Sequence, residues 1–111
     1  MRCLLKAVIP VDSGNAAISD GSLPTTIESI LADLKPEAAY FAEDNGKRTG
    51  FIFFDLKDPS QIPAVAEPWF LAFNAHVELR PAMNVEDLKK AGPGIDKAVK
   101  NYRRGAHTKA A

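Results

Sequence analysis

The chain has 111 residues, with fourteen basic residues against fourteen acidic ones and a formal net charge of zero. Neutrality excludes a general electrostatic attraction to nucleic acid or to an anionic membrane, and 46% apolar with 25% charged residues excludes a disordered chain. A single cysteine, Cys3, excludes an intrachain disulfide and a thiolate metal cluster.

The length suits one domain, read as residues 1–104 with a loose tail over 105–111. Near the N-terminus Arg2 and Lys6 soon meet Pro10, Asp12 and Gly14, a stretch too short and broken for a signal peptide. No apolar run is long enough to span a bilayer, so a cytoplasmic protein is expected. Cys3 reads as a small buried residue.

In chain order, residues 3–9 form a strand with Cys3, Leu5, Ala7 and Ile9 on one face and Leu4, Lys6 and Val8 on the other. Pro10 stops it, residues 12–15 (Asp-Ser-Gly-Asn) turn the chain, and residues 15–19 make one helical turn before Asp20-Gly21-Ser22 breaks it. A long helix then covers 23–34. Ser22 is its expected N-cap and Pro24 lies in its first turn; Thr25 with Glu28 is an alternative capping box. Its stripe is Leu23, Ile27, Ile30, Leu31 and Leu34, and Lys35-Pro36 ends it.

Asn45-Gly46 supplies the two positive-φ positions of a type I′ turn, so residues 38–43 fold back antiparallel on 49–57. The second of these, Thr-Gly-Phe-Ile-Phe-Phe-Asp-Leu-Lys, is the densest aromatic and β-branched run in the chain and reads as a central strand. Asp58-Pro59-Ser60-Gln61 is a helix start, and Pro63 and Pro68 predict a kinked or two-piece helix over 59–73. Ile62, Val65, Trp69, Phe70 and Phe73 are expected on its buried side. Residues 75–80 are the last strand, Asn84 caps a short helix over 85–91 with Asp87 at its third position, and Gly92-Pro93-Gly94 breaks the chain. A final helix over 95–103 is expected to face Ile95, Val99 and Tyr102 inward.

The order is β-α-β-β-α-β with a C-terminal helical extension. Right-handed crossovers favour an α+β sandwich, an antiparallel sheet ordered 4-1-3-2 with helices on one face. The second face is then bare but apolar, with Leu4, Val8, Phe41, Phe51 and Phe53 expected on it, a patch larger than soluble monomers tolerate.

With that bare face in view, three stretches carry a resemblance: Lys35-Pro36-Glu37-Ala38-Ala39-Tyr40-Phe41, Ala66-Glu67-Pro68-Trp69-Phe70, and Glu78-Leu79-Arg80-Pro81-Ala82-Met83 with Glu86-Asp87-Leu88. Through them the chain resembles the dimeric α+β barrel superfamily of ferredoxin-like proteins, and within it a group of small bacterial proteins of unknown function. The likeness runs to about Tyr102 and implies a homodimer with sheets packed face to face. Relatives in the superfamily include cofactor-independent monooxygenases, haem-binding and haem-degrading enzymes and stress-response proteins. The haem-using branches place a histidine on a helix beside the barrel. Here the histidines are His76, on a strand, and His107, in the tail, so no haem and no other cofactor is expected.

Alternation places Lys6, Asp55, His76, Glu78 and Arg80 on the sheet face away from the helices, with Lys6 near Glu78 and Asp55 with Arg80 toward one end. Two readings stay open: structural ion pairs between subunits, or the polar floor of a small-molecule pocket with His76 as acid or base. Phe53, Tyr40 and Trp69 join the candidate ligand-binding set, Trp69 as a possible pocket lip beside the Pro68 kink or as plain core. His76-x-Glu78 offers only two ligands, too few for a metal. The basic C-terminal segment reads as a solvated helix face or as a contact for an acidic patch.

The expected function is that of a homodimeric small-molecule-binding or structural, accessory protein with no evident catalytic motif, any ligand being small, mostly apolar and with a polar end. The alternative is a cofactor-independent oxygenase or other small-molecule enzyme using the cavity between sheet and helices.

Overall fold

Four antiparallel strands organise the chain in the computed structural model, which describes residues 1–104. They are β1 (Arg2–Ile9), β2 (Ala38–Asp44), β3 (Lys47–Asp55) and β4 (His76–Pro81), in the order β2-β3-β1-β4. Counted from the other edge this is 4-1-3-2. Helices α1 (Val11–Ser19), α2 (Ser22–Leu34) and α3 (Ile62–Phe73) pack on one face of the sheet. After β4 come α4 (Val85–Lys90) and α5 (Gly92–Tyr102). This α+β architecture is compatible with a ferredoxin-like arrangement. The expected loose tail over 105–111 lies outside the described residues.

Alternation fixes the two faces. Cys3, Leu5, Ala7 and Ile9 of β1 are buried and the residues between them are half-buried. Leu5 stands opposite Ile52, and Cys3 opposite Phe54, so these four share the helix side. There they meet Trp69 and Phe73 of α3, whose ring centroids are 6.1 Å apart at 42°. Fully burying each large side chain of this kind stabilises the fold by roughly 1.5–3 kcal/mol. The β2–β3 hairpin turns at Asn45 (φ 53°) and Gly46 (φ 78°), both left-handed as a type I′ turn requires.

The first crossover differs from the expectation. Residues 12–15 do not turn the chain; they lie in α1, a nine-residue helix that begins directly after Pro10. Gly14 is there for packing, since a Cβ would stand 2.6 Å from Nη1 of Arg48 and 3.3 Å from Cγ2 of Ile9. Gly21, at φ 79°, separates α1 from α2. It also takes the cap position expected of Ser22, while the Asp20 carboxylate accepts from the Ser22 N–H at 2.9 Å. No Thr25–Glu28 capping box forms, because the Thr25 hydroxyl donates to the Ser22 carbonyl. Lys35 leaves α2 in the left-handed region directly before Pro36.

Beyond the hairpin the two-piece helix is present as a 3₁₀ turn over Pro59–Gln61, closed by an Asp58/Gln61 capping box, followed by α3 with Pro68 inside it. Ile62 and Phe70 are exposed rather than buried; Trp69, Phe73 and Ala66 carry the contact. β3 ends at Asp55, not at residue 57. Asn84 and Asp87 form the capping box of α4. Gly92-Pro93-Gly94 is not a break but the first turn of α5, with Pro93 near its start, where a missing N–H is harmless. The largest departure is at the end of the chain: Ile95, Val99 and Tyr102 do not face inward but lie exposed on α5.

Candidate functional site

The sheet face opposite the helices is the candidate site. In register across it run Ala38, Phe53, Leu4 and Arg80, then Tyr40, Phe51, Lys6 and Glu78, then Ala42, Thr49, Val8 and His76. Leu4, Val8, Phe51 and Phe53 are half-buried, Thr49 beside Val8 is buried, and Tyr40 is exposed opposite Phe51. Phe41 is not part of this face. It pairs with Gly50, which pairs with Ala7, so it lies on the helix side, where a Cβ on Gly50 would stand 3.1 Å from its ring.

At the centre of the apolar face is a chain of charges. The Lys6 ammonium pairs with Asp44, lies 4.0 Å from Glu78 and sits 6.0 Å from the Phe51 ring centroid. Glu78 in turn accepts from Arg80 and has His76 Nε2 at 3.7 Å. The Lys6 and Glu78 side chains are 24% and 38% exposed, so the pair is partly desolvated. Lys6, Glu78, His76 and Arg80 are thus brought together as their alternation implied. Asp44 is the member that sequence reasoning missed. It lies just past the expected strand over 38–43, but β2 extends one residue further and alternation from Tyr40 and Ala42 carries it onto the Lys6 side.

Asp55 is not part of this cluster. It stands opposite Arg2 at the end of the sheet, where the Met1 ammonium donates to it at 2.7 Å and lowers its carboxyl pKa. It makes no pair with Arg80, which turns to Glu78 instead. Beside it the Arg2 guanidinium donates to Glu37 at 2.6 Å, and this hydrogen bond is the main cause that holds the Glu37 carboxyl below its ordinary value. Trp69 also lies elsewhere. It is fully buried on the helix side of the sheet with its indole N–H unpaired, so it is core and not the lip of a pocket on the Lys6 face.

A concavity opens at the other side of the sheet. Ile9, Val11, Leu23, Ile27 and Phe41 line an apolar groove of about 540 Å³ between the helices and the β2–β3 hairpin, with Glu43, Lys47 and Arg48 at its border. Arg48 is tied down there by a 3.0 Å hydrogen bond to Asn15.

Chemically, the Lys6–Glu78 cluster offers orienting charges ringed by aliphatic and aromatic surface, which is how small-ligand sites divide affinity from orientation. Among the described residues no group of three His, Cys, Asp or Glu is placed to hold a metal ion, and no helix is long and apolar enough to cross a membrane. No protein-family model matches the chain, and no curated protein matches it at a significant level.

Proposed function

We propose that the protein works as a homodimer, with the uncovered sheet faces of two copies opposed, and that the space enclosed between them binds a small, mostly apolar molecule with a polar end. One observation carries this reading: Leu4, Val8, Phe51 and Phe53 form an apolar sheet face that none of the described helices covers, with the Lys6–Glu78 charge cluster at its centre. Left in water, such a face is an association surface. Opposed to its own copy it makes a self-complementary interface, as two-fold symmetry requires. The resemblance to dimeric α+β barrels favours the same assembly.

Lys6, Asp44, Glu78 and Arg80 largely neutralise one another, so the enclosed cluster needs no counter-ion from the ligand. His76 is the member with most of its side chain still exposed, so it is the group a ligand's polar end would meet. Phe51, Phe53 and Tyr40 supply the apolar wall.

Native mass spectrometry of freshly purified protein reports stoichiometry and any retained small molecule together. A dimer, and a thermal shift from a panel of small aromatic and aliphatic acids and amines that disappears in Phe53→Ser, supports the proposal. A monomer, or a dimer indifferent to every member of the panel, overturns the binding function. Tryptophan emission is a poor reporter, since Trp69 lies on the far side of the sheet.

A further inference from the structure

Two glycines shape the apolar groove beside the β2–β3 hairpin. At Gly50 a Cβ would stand 3.1 Å from the Phe41 ring, so glycine lets that ring lie close against β3 as part of the lining. At Gly14 a Cβ would stand 2.6 Å from Nη1 of Arg48, so glycine lets the guanidinium pass close by α1. Val11, Leu23 and Ile27 line the groove from the helices and Ile9 lines it from β1. Phe41 and Val11 stay about half exposed, at 52% and 44%, so apolar surface is left in water here.

The charge at the border is not neutralised. Arg48 is fixed by a neutral group, the Asn15 side-chain oxygen at 3.0 Å, which leaves most of its N–H donors open. Glu43, its register partner on β2, instead accepts from the Gly46 N–H at 2.9 Å. Neither Arg48 nor Lys47 enters an ion pair among the described residues. Glu43, Lys47 and Arg48 together therefore leave one net positive charge beside the apolar lining.

We infer that this groove is a binding site for a small apolar monocarboxylate, aliphatic or aromatic. Its body lies against Val11, Leu23, Ile27 and Phe41, and its carboxylate meets Arg48 and Lys47. The volume of about 540 Å³ suits a small-ligand pocket, and the lining separates apolar area for affinity from a few charges for orientation. An arginine held in place by packing and an amide is suited to a carboxylate, whose two oxygens match its planar fork. A neutral alcohol leaves the border charge unmatched, and an amine is repelled by it. The basic helix α5 has the wrong sign for the same reason, although its Ile95 and Val99 are exposed. The whole lining belongs to one chain and lies on the helix side of the sheet, so the inference stands apart from the opposed sheet faces and their ligand.

Calorimetric titration of the full chain with octanoate, octanol and octylamine tests it, in wild type and in Phe53→Ser, which alters only the other face. The expected result is one octanoate per chain that survives Phe53→Ser and binds at least roughly fivefold tighter than octanol, with octylamine weakest. High salt should bring octanoate toward octanol. Val11→Glu cancels the net charge of the border at a position where an acid suits the first turn of α1, so the fold is kept and the preference for octanoate is lost. Lys47→Gln, at an exposed position, should reduce the same preference. Octanoate binding that vanishes in Phe53→Ser, an equal affinity for octanol, or a preference unchanged in both charge variants each overturns the site. Should Phe53→Ser fold poorly, methyl resonances of the wild type decide. Shifts at Leu23 and Ile27 on adding octanoate support the groove, and shifts confined to Leu4 and Val8 place the acid on the sheet face and overturn it. A monomeric wild type that still binds octanoate in this way removes the sheet-face dimer and leaves the groove standing.

Discussion

Lys6 and Glu78 are register partners across β1 and β4, on the face of the sheet opposite α1–α3, with the Lys6 ammonium 4.0 Å from the Glu78 carboxylate. Both are partly exposed in one protomer, so breaking the pair there should cost under about 1 kcal/mol, the usual size for a hydrated ion pair. Enclosed between two sheets, the surviving charge loses its water and its partner together, and the loss rises to about 3–5 kcal/mol. Lys6→Met and Glu78→Gln should therefore unfold with a deficit that grows with protein concentration. Chemical denaturation at two concentrations on either side of the dimer dissociation constant checks this. An equal, small deficit at both would mean that the face stays wet.

The hairpin turn is set by backbone chemistry alone. Asn45 and Gly46 both have positive φ, and nothing lies within 4 Å of a Cβ built on Gly46, so a substitution there fails through torsion and not through collision. Gly46→Val should destabilise by about 1–2 kcal/mol, and Asn45→Ala by somewhat less. Urea midpoints measure both; no change in either would contradict a type I′ turn.

Acid should weaken the sheet end near Arg2. The Glu37 carboxyl is lowered by its hydrogen bond and charge interaction with Arg2, and Asp55 is lowered by the Met1 ammonium. For a lowered carboxyl, the stabilising contribution is complete above the ordinary carboxylate pKa, about 4, and is lost as pH falls through the lowered one. The Arg2 guanidinium is raised by the same contact, and its own contribution is lost only in strong alkali. The melting temperature should fall on acidification below about pH 4. Glu37→Gln should flatten that fall, and an unchanged acid slope would show that the pair contributes nothing.

The sheet and its hairpin were legible because their signals are local: two-residue alternation in β1, a positive-φ dipeptide, and an aromatic run between turn residues. So was the Lys6–Glu78 pairing, which follows from alternation once the strand order is chosen. α1 was not legible. Asp12-Ser13-Gly14-Asn15 has turn composition, and the reason for Gly14, the close passage of the Arg48 side chain, lies more than thirty residues away in sequence. Phe41 was placed on the wrong face because alternation had to be counted through the turn, where one residue of register exchanges the faces. Trp69 was legible as aromatic at helical spacing, but which side of the sheet it reaches is a property of the crossover and not of its neighbours. The outward stripe of α5 could not be told from an inward one, since periodicity marks an apolar face without saying what covers it.

Sedimentation equilibrium of the wild-type chain at micromolar concentration, with Phe51→Asp and Phe53→Asp beside it, tests the opposed sheet faces most directly. Each variant places a charge where an aromatic side chain would contribute roughly 1.5–3 kcal/mol by burial in each subunit. The expected result is a wild-type dimer, with both variants monomeric or insoluble. A wild type that sediments as a monomer, or variants that dimerise as tightly as the wild type, would contradict it.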